Sequence, residues 1–312
     1  MKFMVRIVSL VLSVIALQVS AQQVNQRIDA SGATSITIEN QQGEVVVTSW
    51  QQEVVELEGQ ISDEAKRFIF ERQGNQIVVK VIMPNHNHWN NTHNSTLTLK
   101  VPHNLRLSFN GISSDISISD MEKSSAIKTV SGNINVNNLA ELVDLSSVSG
   151  DIKSRGLSGK ISISSVSGDI DDRASQGRIN LSVISGHLVS HSQAEEVSVN
   201  SVSGEVSLTL AKVNELSITT VSGDADARLS LNDNGLLKVD SVSGDISIQF
   251  DNNVQASFKM RANAGGDLIN RLTDDKVQEA KYGPSSKLYF NTGNGSATVK
   301  ASTVSGDIKV SR

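Results

Sequence analysis

Val148-Ser149-Gly150-Asp151-Ile152 and, eighteen residues on, Val166-Ser167-Gly168-Asp169-Ile170 decide the architecture of this chain. The same phrase recurs, with small changes, at Val130-Ser131-Gly132, Ile184-Ser185-Gly186, Val202-Ser203-Gly204, Val221-Ser222-Gly223, Val242-Ser243-Gly244 and Val304-Ser305-Gly306. The first seven glycines stand 18, 18, 18, 18, 19 and 21 residues apart. A fixed period near 20 residues marks a solenoid, in which each repeat buries its apolar side only against its neighbours. Upstream of each glycine, at seven and five residues, stand two more apolar positions, as in Val143 and Leu145 or Ile161 and Ile163. A strand keeps inward side chains on even spacing, so the three-residue step from Leu145 to Val148 requires a corner. The Ser-Ser, Asn-Ser, Thr-Thr or Asp-Ser pair in that gap has corner chemistry. This reading places Val148, Gly150 and Ile152 inward, with Ser149 and Asp151 outward. Leu139 and Leu157, seven after their glycines, indicate a third short face.

The rest of the chain is consistent with an exported, all-β protein. Lys2 and Arg6 precede an apolar run, Ile7 to Leu17, and Val19-Ser20-Ala21 supplies small residues for cleavage, so residues 1–21 read as a signal peptide. The run is too short for an easy membrane span, and no later stretch approaches ~20 apolar residues. The expected location is therefore periplasmic, secreted or associated with the cell surface. There is no Cys, which excludes disulfides, thiolate metal sites and a lipid anchor on cysteine. Without Lys2 and Arg6 the chain keeps 26 basic against 33 acidic side chains, a net charge of −7. With no basic stripe, nucleic acid and anionic lipid are poor partners. Aromatics at 4% and only three prolines fit regular strands with tight corners better than an aromatic-lined pocket.

Residues 22–110 alternate without the repeat: Ile36, Ile38, Val45 and Val47 flank Gly43, and Ile77, Val79, Leu97 and Leu99 follow. They are read as a β-strand cap, since the first coil of a solenoid otherwise presents an open edge. Residues 111–250 are then the regular coils, and 251–312 irregular C-terminal coils with a second cap. Asp63 to Arg67 is expected to make one helical turn.

Two places invite chemistry. Asn85 to Asn94 holds His86, His88 and His93 around Trp89. His86 and His88 would share one side of a strand and His93 could complete a Zn²⁺ or Cu²⁺ site. No carboxylate lies within the cluster and no strong metal spacing is present, so a solvated Asn-rich loop after Pro84 is the favoured reading. Trp89 is a weak candidate contact residue. The second place is the acid after the corner: Asp151, Asp169, Glu205, Asp224, Asp245 and Asp307. Stacked in register, like charges repel by about 0.9 kcal/mol per neighbour at ~4.8 Å in water, which Ca²⁺ would relieve. Asn133 and His187 interrupt the row, and it is read instead as a tolerated line of turn acids. No cofactor is expected.

Together, the segment around Gly43, the serial Val-Ser-Gly-Asp-Ile units and the ending Gly293-Asn294-Gly295, Ala297, Val299, Val304 to Ile308 resemble the bacterial "putative adhesin" β-strand-repeat domain of unknown function, itself similar to adhesin-head solenoids. The resemblance implies an all-β, single-stranded β-helix-like solenoid, right-handed, with coils of ~18–21 residues. The 18-residue period also fits a left-handed prism, but no hexapeptide signal recurs within the coil. The resemblance carries no catalytic residues, and "adhesin" rests on shape. The expected function is a non-catalytic binding or scaffold module of the envelope, with a glycan or an envelope protein as partner. Alternatives are a carbohydrate-active enzyme on a β-helix scaffold and an envelope stress or sensor component.

Overall fold

The computed structural model describes residues 22–84, 94–251 and 253–312; the His86, His88, His93 and Trp89 cluster lies outside them. Among the described residues there are strands, turns and bends and no helix. Asp63–Arg67 is a turn leading into strand Arg67–Gln73, because four charged side chains in five residues leave only Ala65 to cover an apolar face there.

Each regular coil uses two strands. One precedes the Val-Ser-Gly corner, as in Leu142–Ser147, and one follows it, as in Ile152–Arg155. Strands of the first kind pair in parallel with their counterparts one repeat away, Val143 beside Ile161 and Ile161 beside Ile179. Strands of the second kind do the same, Ile134 beside Ile152 and Ile152 beside Ile170. Two long parallel sheets thus meet at the corner and enclose one continuous core of Ile, Leu and Val, including Val143, Leu145, Ile152 and Leu157. The inward Leu139, Leu157 and Ala194 close the third side. A second corner follows each second-sheet strand, where Asp120, Asn138, Gly156 and Ala174 stack with φ of 64°, 54°, 65° and 55°.

The first corner is not quite where the sequence puts it. Thr129, Ser147 and Ser165, three before the glycine, are buried, and the Val that follows is not. Val130, Val148, Val166, Ile184, Val202, Val221, Val242 and Val304 are 38–49% exposed. The expectation that this Val faces the core is therefore corrected. Even spacing runs on through Val143, Leu145 and Ser147, and the turn is made by Val148-Ser149 themselves. Gly150 and Ile152 do face inward, and Ser149 and Asp151 do face out. The buried hydroxyl explains the early corners. The Gly150 N–H donates to Ser147 Oγ at 2.8 Å, and Gly132 and Gly168 repeat this with Thr129 (3.0 Å) and Ser165 (2.9 Å). A group with no ladder partner at the bend is satisfied inside the coil. At Gly186 the residue in the hydroxyl place is Val183, and from here the corner glycines take positive φ, 151° at Gly186 and 131° at Gly204.

Both ends depart from simple stacking. The regular ladder does not begin at Gly111. Strand Ser35–Trp50 is already a full coil, paired in parallel from Ser35 beside Arg106 to Thr48 beside Ser119. Its other edge is covered by Gln76–Ile82 and Ser95–Pro102, which pair antiparallel with Arg67–Gln73 and Val54–Ile61 respectively. The cap expected over 22–110 therefore contains a coil, inserted between the cap proper and the repeats. The C-terminal end mirrors this. The last coil, Ala297–Ser305 and Ile308–Ser311, lies between the coil of residues 236–250 and the coil of residues 256–270. Beyond the latter, Ser286–Asn291 and Gln278–Glu279 close the first sheet with antiparallel strands. Phe250, Phe258 and Phe290 fill this end, with Phe258 and Phe290 stacked at 4.4 Å between centroids.

Candidate functional site

The outer surface of the second sheet brings amides, cations and carboxylates together on three successive coils. After each corner glycine, residues alternate between core and solvent. Ile134 and Val136, Ile152 and Ser154, and Ile170 and Asp172 are buried, while Asn133, Asn135 and Asn137, then Asp151, Lys153 and Arg155, then Asp169 and Arg173 are exposed. Asn135, Asn137, Lys153, Arg155, Asp171 and Arg173 line a shallow open depression across three coils. The Arg173 guanidinium grips Asp171 through two bonds of 2.9 Å and holds its carboxyl below the usual range. This fixes a planar donor group two rungs from the amides of Asn135 and Asn137, an arrangement suited to hydrogen-bonding an extended hydroxyl-rich ligand.

The row of acids has a defined job. The Asp and Asn side chains of the row accept the backbone N–H of the residue in the same place on the next coil. The Asn133 N–H donates to Asp115 Oδ1 (2.7 Å), Asp151 to Asn133 (3.0 Å), Asp169 to Asp151 (3.0 Å) and His187 to Asp169 (2.8 Å). The row resumes with Asp245 on Asp224, Asp307 on Asp245 and Asp267 on Asp307. The corner pulls this N–H away from a carbonyl, and a short side-chain oxygen replaces it, which is why both Asp and Asn occur there. Near the interruption, His187 Nδ1 lies 3.9 Å from Glu205 Oε2. Among the described residues no three His, Asp or Glu side chains gather as metal ligands.

Sequence reasoning missed Asp172, which is buried with no exposed surface on the inner side of this same sheet. Its carboxylate accepts hydroxyl hydrogen bonds from Ser154 (2.7 Å), Ser175 (2.5 Å) and Ser190 (3.1 Å). Asp171-Asp172 reads as one acidic pair at a strand end, and only the alternation count, two beyond Ile170, separates the inward member. Burial raises the Asp172 carboxyl above its usual value despite those three donors. The native state therefore keeps this proton to a higher pH than the unfolded chain, and stability falls as pH climbs from about 3.8 through the raised value. Asp172→Asn should remove that decline. The variant's melting midpoint should gain on the parent's as pH rises, with the gap closing below about pH 3.8; a gap independent of pH would count against the buried charge.

The family model described as Toastrack DUF4097 matches the chain twice, over residues 91–188 and 178–311. The two matches overlap where the corner changes from the hydroxyl-clamped form to the positive-φ glycine form. No curated protein matches the chain. Several solved structures are similar. A putative cell adhesion protein from Clostridium sporogenes shares 8% identity, with 94% of this chain and 99% of that one covered at a TM-score of 0.26. A putative lipid binding protein from Parabacteroides distasonis shares 14% identity over 73% and 90% at 0.43. A putative adhesin from Bacteroides fragilis shares 12% identity over 93% and 98% at 0.38.

Proposed function

The chain belongs to the Toastrack DUF4097 family, and on that premise we propose that it is an exported, non-catalytic binding module that holds an extended, hydroxyl-rich partner such as a surface glycan. The observation carrying this reading is the second sheet's outer surface, where the amides of Asn135 and Asn137, the cations Lys153 and Arg155 and the Arg173 guanidinium braced by Asp171 follow one another on three successive rungs. Rungs ~4.8 Å apart set amide, ammonium and guanidinium donors in a line along which an extended ligand can lie. The winding in this reading is right-handed with coils of ~18–21 residues. Its compartment is the periplasm or the cell surface, in keeping with the basic and apolar start of the sequence. No helix among the described residues is long and apolar enough to cross a membrane.

A glycan array and envelope polysaccharide fractions probed with the mature chain test this. Binding should be lost, with an unchanged melting midpoint, in an Asn135→Ala, Asn137→Ala, Arg155→Ala variant. Polysaccharide turnover by the purified chain would replace this reading with the carbohydrate-active enzyme, and binding that the triple variant keeps would move the site elsewhere.

A further inference from the structure

The outer surface of the first sheet is chemically unlike the second. Its outward columns stand eight, six, four and two residues before each corner glycine; the first of them is charged, with Lys160, Arg178, Glu196 and Glu215 on successive coils, and the other three are not. In four successive coils they hold Ser162, Ser164 and Val166, then Asn180, Ser182 and Ile184, then Ser198, Asn200 and Val202, then Ser217, Thr219 and Val221. None of the twelve is charged, on a chain where one residue in five is. The side chains are short, so the sheet face is flat. Along the corner runs the exposed Val/Ile column, eight residues from Val130 to Val304, whose coils stack in register.

We propose that this face pairs with the same face of a second copy, about a twofold axis parallel to the strands and midway between the Ile184 and Val202 coils. Three features carry the inference. The eight aliphatics are distributed symmetrically about that axis, so Ile184 meets Val202, Val166 meets Val221, Val148 meets Val242 and Val130 meets Val304 of the second copy. The uncharged block is bounded by Asp144 on one side and Lys238 on the other, in the same column. Rotation about the axis lays each against the other's opposite charge. Asp144 is half-buried with no ion-pair partner among the described residues of its own chain, whereas Lys238 is paired with Asp240 at 2.7 Å. The size also fits. The whole face, four uncharged rungs flanked by four that carry Lys128, Asp144, Lys238, Asp240 and Lys300, is roughly 35 by 20 Å, about 700 Å², close to the ~800 Å² per partner of a standard interface. Exposed apolar strips of this extent mark association surfaces, and a symmetric pair is the commonest way to close one. Any other occupant would have to match an apolar repeat of ~4.8 Å, which a second copy does by construction.

The test uses the mature chain and its lack of cysteine. Light scattering across a concentration series should give twice the monomer mass. Ile184→Asp with Val202→Asp should raise the dimer dissociation constant by about 100-fold or more without moving the melting midpoint at concentrations where both proteins are monomeric. Val130→Cys and Val304→Cys should form no disulfide dimer when oxidised separately and should form one when mixed, because each lies about seven rungs from its own symmetry mate. A monomeric parent at every concentration overturns the pairing. So does cross-linking of Val130→Cys with itself as readily as in the mixture.

Discussion

A chain ending at residue 296 should lose the C-terminal third of its cooperative structure. The removed segment is an inner layer rather than a tail. Val299 and Ala301 sit between Leu237 and Val239 on one side and Phe258 and Met260 on the other, and Ile308 and Val310 stand between Ile246, Ile248 and Leu268. All but Leu268 of these are essentially without exposed surface. Deletion leaves two facing strand edges and an apolar slot that nothing fills, at a cost of several kcal/mol from lost burial alone. Because coils interact only with neighbours, the damage should be regional. Amide exchange protection should vanish over residues 225–291 and persist over 106–200. Protection unchanged throughout would show that the last coil is dispensable.

Gly168→Val should have the second-largest effect and spread in both directions along the ladder. A Cβ at Gly168 would lie 2.2 Å from the carbonyl oxygen of Gly150, and one at Gly150 would lie 1.9 Å from that of Gly132. The obstruction is backbone, held by ladder bonds on both sides, so the coils must separate. We expect a loss of about 3 kcal/mol or more and a midpoint lower by roughly 5–10 °C. Ser167→Ala, one residue away and exposed, should change little. Equal tolerance of the two substitutions, read by thermal melts, would show that the glycine stack is incidental.

Much of this was legible in the sequence because a solenoid writes its core at a fixed period. The repeat, the inward Gly150 and Ile152, the outward Ser149 and Asp151 and the third face at Leu157 follow from spacing alone. What misled was hydrophobicity. Val148 reads as core because it is apolar, and Ser147 as corner because it is polar, while even spacing from Leu145 requires the reverse. At a bend the backbone's need for an acceptor at Gly150 outweighed the transfer preference of one side chain. The acid after the glycine looked like a ligand or a surface charge; its task, accepting an N–H from the next coil, becomes visible only when coils are stacked. The candidate site was illegible for a related reason. Asn135, Arg155 and Asp171 are 16 to 36 residues apart and become neighbours only across three rungs.

The inserted terminal coils bear on how fast and in what order the molecule assembles. Within the repeats each new strand closes a loop of about 18 residues onto its neighbour, a local step that can zip forward. At the ends the partners are remote in sequence: Ser35 beside Arg106, Leu236 beside Thr298. Closing a 62-residue loop rather than an 18-residue one raises the entropic barrier by about 1 kcal/mol, and the last strand must enter a gap already bounded on one side. Folding should therefore show a fast phase from the middle and a slow phase from latching of the ends. Once latched, the last coil is paired along both edges and offers no loose strand from which unravelling can start, so the same topology that delays completion should make the finished protein slow to unfold.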